Sequence, residues 1–99
     1  MTKTELKENG WSPQACKIGT LFFKGNFFCR FINDDTVTVM STSNDMLPLG
    51  KATTLDELKN IQKEYDKEKI REAKRRLEEL LQAYKINYNE DITNDIFAI

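Results

Sequence analysis

The chain reads as an α+β protein: a short helix, a three-stranded antiparallel meander sheet, then a long, partly overhanging amphipathic helix. Residues 46–49 add a fourth strand if they pair at the sheet edge. Three observations predict this. Two Thr-x-x-Glu capping boxes, Thr2–Glu5 and Thr54–Glu57, mark helix starts. Between them lie β-rich runs separated by Gly25-Asn26 and Asn33-Asp34-Asp35. No Gly or Pro interrupts residues 55–84. The 99 residues are read as one domain.

The first helix covers residues 3–9. Gly10 suits the left-handed residue that ends a helix, which places Leu6 and Trp11 at the two positions whose side chains touch in a Schellman motif. Ser12-Pro13 then starts an extended segment. The meander and its following loop fill residues 16–53, with strands near 16–24, 27–33 and 36–42. Gly25-Asn26 between apolar arms predicts a type II′ hairpin turn. Asp34-Asp35 is taken as the second turn. With those turns, Phe22 faces Cys29, Lys24 faces Phe27, and Phe23 faces Phe28. One sheet face then carries Leu21, Phe23, Phe28, Ile32, Val37 and Val39. The other carries Ile18, Phe22, Phe27, Cys29, Phe31 and Met40. Both are apolar, because side chains alternate along a strand and each arm of the first hairpin holds a Phe-Phe pair. A one-residue slip would exchange these sets. Met46-Leu-Pro-Leu49 reads as a short edge strand, since Pro48 cannot donate to a central ladder.

The long helix spans residues 54–85. Its uninterrupted length is about 45 Å at 1.5 Å per residue, twice the roughly 23 Å of a seven-residue strand. Its apolar positions form two stripes. Leu55, Leu58, Ile61 and Tyr65 make the first. Ile70, Ala73, Leu77, Leu80 and Tyr84 make the second, at heptad-like 3-4 spacing, widened by Leu81. The five-residue step from Tyr65 to Ile70 rotates the stripe by about 140°. The first half therefore packs on the sheet and the second on something else. A competing closure breaks the helix at 66–69 and buries both stripes within one chain. Residues 86–99 form an acidic, apolar tail in which Tyr88, Ile92, Ile96 and Ile99 share a helical face, with three placements open: back on the sheet, back on the helix, or docked elsewhere.

Composition narrows the function classes. The chain is 39% hydrophobic and 31% charged, with net charge −1, so no bulk field draws it to nucleic acid or an anionic membrane. The first residues carry no apolar signal region, and no run of about 18 apolar residues exists. We expect a cytoplasmic protein. There is no histidine, so a Ser-His or Cys-His nucleophile pair is ruled out. Cys16 and Cys29 alone cannot make the usual four-ligand zinc site in one chain, and read as free thiols behaving as small hydrophobes. Asp34-Asp35 reads as turn chemistry. No catalytic site, cofactor or metal is expected, and the chain is read as a non-enzyme.

Two partner readings remain. The first is self-association, most simply as a homodimer, through Ile70, Ala73, Leu77, Leu80 and Tyr84, with Phe22, Phe27 and Phe31 on an open sheet face. Residues 59–76 carry eight basic and four acidic side chains, a local +4. From residue 78 onward five acids face one base, a local −4. Opposed blocks favour antiparallel alignment. The expected function is a small regulatory interaction module. A short chain rich in Lys, Asn, Ile and Glu fits a phage or mobile-element protein that inhibits or adapts host machinery. The second reading is a nucleic-acid-binding accessory protein, using Lys74, Arg75 and Arg76 beside the sheet aromatics.

Overall fold

A computed structural model describes residues 1–43 and 47–97. The elements are α1 (Lys3–Glu8), β1 (Ser12–Cys16), β2 (Gly19–Lys24), β3 (Phe27–Phe31), β4 (Val37–Ser41), β5 (Pro48–Ala52), α2 (Leu55–Tyr88) and α3 (Thr93–Phe97). Contacts divide the chain into two compact units, Met1–Tyr65 and Asp66–Ile99, with the boundary inside α2. That boundary falls where the two apolar stripes change direction.

Local chemistry sets the helix ends as the sequence indicates. The Thr2 hydroxyl accepts from the Glu5 amide at 3.1 Å. At the other end Gly10 has φ +89°. The Trp11 amide donates to the Leu6 carbonyl at 3.0 Å and the Gly10 amide to that of Lys7 at 3.2 Å, the two bonds of a Schellman motif. Leu6 and Trp11 are both buried. The Lys24 ammonium adds a hydrogen bond to the Asn9 carbonyl at 2.8 Å, where the helix dipole favours a cation. For α2, Thr54 Oγ1 accepts from the Glu57 amide at 3.2 Å. The Glu57 carboxylate reaches one residue further back than a simple capping box, accepting from the Thr53 amide and hydroxyl.

The sheet has five strands in the order β1-β2-β3-β4-β5, every pair antiparallel. The sequence predicts three strands, or four with residues 46–49, so there is at least one more than expected, and the central strands are shorter. Residues 12–16 form an edge strand of their own, joined to β2 by the two residues Lys17-Ile18. Pro13 lies in it, as an edge permits. At the opposite edge, β5 begins at Pro48 and runs to Ala52. Of the expected strand 46–49, residue 46 lies outside the described residues. The β2–β3 hairpin has the expected register, Phe22 to Cys29 and Phe23 to Phe28. Gly25 has φ +58° while Asn26 is not in the positive region, the signature of a type II′ turn.

The β3–β4 register differs from expectation by one residue. Phe31 pairs with Val37 and Cys29 with Val39, because the connection is wider than Asp34-Asp35. The Asn33 carboxamide oxygen accepts from the amides of Asp35 (3.1 Å) and Thr36 (2.9 Å), and the Ile32 amide closes onto the Thr36 carbonyl at 2.9 Å. Val37 and Val39 therefore join Phe22, Phe27 and Cys29 on one face, and Thr38 and Met40 move to the other. Among the described residues, every fully buried apolar side chain belongs to this one-sided core: Phe22, Phe27, Cys29, Val37, Val39 and Ala52 from the sheet, with Leu6, Trp11 and Leu58 over them.

The first stripe of α2 covers this core. Leu58 is buried, and Leu55, Ile61 and Tyr65 pack against it. Tyr65 meets Phe27 edge-on, with ring centroids 5.7 Å apart. Gly50 gives the helix room, since a Cβ there would lie 3.1 Å from Ile61 Cδ1. The helix is unbroken through residues 66–69, so the alternative hairpin closure does not occur. It ends at Tyr88, three residues later than expected. Asn89 stands at φ +54° and donates to the Lys85 carbonyl at 2.8 Å, a left-handed stop that asparagine tolerates. Of the helical face expected in the tail, Ile99 lies outside the described residues.

Removing Leu58 from the one-sided core should be costly. Leu58→Ala is expected to destabilise the protein by about 2–5 kcal/mol in urea unfolding, whereas Ile86→Ala, at an exposed position, should stay within about 0.5 kcal/mol.

Candidate interaction surfaces

In the second unit, the far part of α2 keeps its apolar stripe largely uncovered. Ile70 is 69% exposed and Leu80 57% exposed. Ala73 is also exposed, and Leu77 and Tyr84 are half-buried. Tyr84 leans on Tyr88, with centroids 4.8 Å apart. The structure brings Ile70, Ala73 and Leu77 together with Leu81 along a groove of about 640 Å³. Leu80 does not line it, and Leu81 takes its place. Phe97 of α3 lines the same groove, 54% exposed. The sequence does not single out Phe97, because nothing in the tail's spacing tells which helix face it meets.

The tail's local structure is simple. Asn89 turns the chain, and Asp91 caps α3 by accepting from the Thr93 amide at 2.9 Å. Hydrogen bonds from the Thr93 side chain and backbone hold the Asp91 carboxyl below its usual range, and Lys85 adds a weaker attraction.

The basic run Lys74-Arg75-Arg76 is exposed. The preceding turns carry i,i+3 ion pairs, Lys69 with Glu72 at 3.4 Å and Glu68 with Arg71 at 3.3 Å. All four side chains are about half exposed, so these pairs contribute little.

In the first unit, the aromatic residues expected on an open face are elsewhere. Phe22 and Phe27 are buried beneath α2. Phe31 is partly buried against the same core and meets Phe22 edge-on at 6.0 Å. The register shift is the reason: it adds Val37 and Val39 to their face and makes it the better one to bury. On the opposite face the aromatics are Phe23 and Phe28, both half-buried and stacked with centroids 5.5 Å apart. Across the sheet they continue into Met40 and Pro48. Arg30, Thr38 and Lys51 pair along the neighbouring row of that face. None of the five strands contains an Asp or Glu. The β3–β4 register is the one signal that would identify this face from sequence.

The two thiols are free and differ sharply in setting. Cys16 is exposed, and its Sγ donates to the Gly19 carbonyl at 3.0 Å. Cys29 is fully buried, and burial pushes its thiol up from 9.0 to about 12. Among the described residues no cluster of three or more His, Cys, Asp or Glu is placed to hold a metal. No helix among them is long and apolar enough to cross a membrane.

A thiol reagent at pH 8 should modify Cys16 in the folded protein and Cys29 only on unfolding, read by mass spectrometry. Because the folded Cys29 thiol titrates higher than the unfolded one, its stabilising contribution is complete below about pH 9 and is lost as pH rises toward 12. Cys29→Ala should therefore flatten the alkaline fall of stability in urea titrations.

Comparison with protein-family models, with curated proteins and with solved structures finds no match to this chain.

Proposed function

We propose that the chain is a non-catalytic protein–protein interaction module that self-associates through the second half of α2, as a two-fold homodimer. The observation that carries this reading is the exposed apolar stripe on a long, otherwise charged helix, with Ile70 and Leu80 more than half exposed. An apolar seam repeated at 3-4 spacing is what a second helix buries. The charge blocks favour antiparallel packing, +4 over residues 59–76 against −4 from residue 78 onward. Antiparallel alignment about residue 75 sets Ile70 beside Leu80 of the second copy and Ala73 beside Leu77. The central apolar positions of the stripe then face one another across the seam. The reading extends to a small protein that occupies a surface of host or partner machinery.

Leu77→Asp should dissociate the dimer. Light scattering on a sizing column is expected to fall from twice the chain mass to the chain mass, with the sheet's circular dichroism retained. An unchanged mass would rule out the interface.

A second reading, single-stranded nucleic-acid binding, draws on the β-face of the first unit. Phe23 and Phe28 supply aromatic surface, Arg30 and Lys51 supply charge, and the strands carry no carboxylate to oppose a phosphate. Aromatics beside cations are what single strands use. On this reading fluorescence anisotropy with labelled oligo(dT) at low salt would show saturable binding, weakened by salt and by Arg30→Glu. A flat titration would remove it.

A further inference from the structure

We propose that α3 is a displaceable strap: it occupies the groove of α2 through which the second copy binds, so that the tail and the second copy compete for one surface. This rests on the self-association reading above and adds its regulation.

Three observations carry it. The groove is shared. Ile70, Ala73 and Leu77 of the dimer stripe form its wall together with Leu81, and Phe97 of α3 lines it as well. Coverage is partial: Leu77 and Leu81 are half-buried, while Ile70 and Ala73, which line the same groove, stay exposed. The cover is also weakly built. Among the described residues the hydrogen bonds of α3 are its own, Ile96 amide to Ile92 carbonyl at 3.1 Å and Thr93 amide to Asp91 at 2.9 Å. A five-residue helix cannot hold itself in water, and Ile96 and Phe97 are both more than half exposed while docked. Such a segment buries too little apolar surface to hold the groove against a full helix, yet enough to lower that helix's apparent affinity. Each copy can pair only with its groove free, so the apparent dimer dissociation constant rises as the free fraction falls.

The test uses full-length chains and two readouts. Phe97→Ala removes the side chain that lines the groove. Asp91→Ala removes the cap of α3. Neither alters the α2 stripe. Sedimentation equilibrium should show both variants dimerising more tightly than the parent chain, by about threefold or more, while Leu77→Asp is monomeric. In the parent chain, amide exchange over residues 93–97 should be faster at concentrations where the dimer prevails than at dilution, where α3 regains the groove; slower exchange in the dimer would overturn the strap. If the parent is a dimer that Leu77→Asp dissociates, but Phe97→Ala and Asp91→Ala leave the constant unchanged, the strap is wrong and the dimer stands. If both variants weaken the dimer, α3 belongs to the interface, which also overturns the strap. If the parent and both variants stay monomeric at all concentrations, the self-association reading itself fails.

Discussion

The fold depends on how β4 is set against β3. Asn33 bridges the amides of Asp35 and Thr36, and the resulting turn places Val37 opposite Phe31 and Val39 opposite Cys29. With that register, the sheet gathers its large apolar side chains on one face, where Leu58, Leu6 and Trp11 can close over them. Shifted by one residue, the valines would stand on the opposite face beside Phe23 and Phe28, and neither face would hold enough apolar area for a single helix to cover. One side-chain-to-backbone motif thus decides which face is inside and which helix stripe must meet it.

That asymmetry divides the surfaces available for contact. The first unit encloses a core on one side and leaves a half-buried row of Phe23, Phe28 and Met40 on the other, flanked by cations. The second unit has no fully buried side chain among its described residues. Its order comes from the helix backbone and from partial shelter by α3. Apolar side chains exposed on a charged helix without a core of their own point to a partner or a second copy.

Features set by near neighbours along the chain are legible in the sequence. Both capping boxes, the Leu6–Trp11 latch, the Gly25-Asn26 turn, and the change of stripe direction after Tyr65 all depend on spacings of a few residues. The features that differ depend on less local choices. Lys17-Ile18 carries no turn residue, so residues 12–15 read only as an extended lead-in to a strand at 16–24; Gly19, at φ +118°, marks the reversal. Asp34-Asp35 reads as the sharper turn, but the Asn33 side chain makes a wider one. The same slip exchanges the inner and outer aromatics. The groove partner of Leu77 and Leu81 is not legible, because a short tail with several apolar residues fits more than one helix face.

The sharing of α2 between the two units has a consequence for how order spreads along it. Forming a first helical turn is costly, with a nucleation factor of about 10⁻³. Residues 55–65 meet that cost within the packed core, held by the Thr54 cap and by Leu58 and Tyr65. Beyond residue 65, each added residue only extends an existing helix. The second unit is therefore templated by the first, and its helicity should decay toward the C-terminal turn instead of melting as an independent domain. Loosening the sheet would erode the far stripe as well, so the integrity of the first unit governs whether the second can present a seam at all.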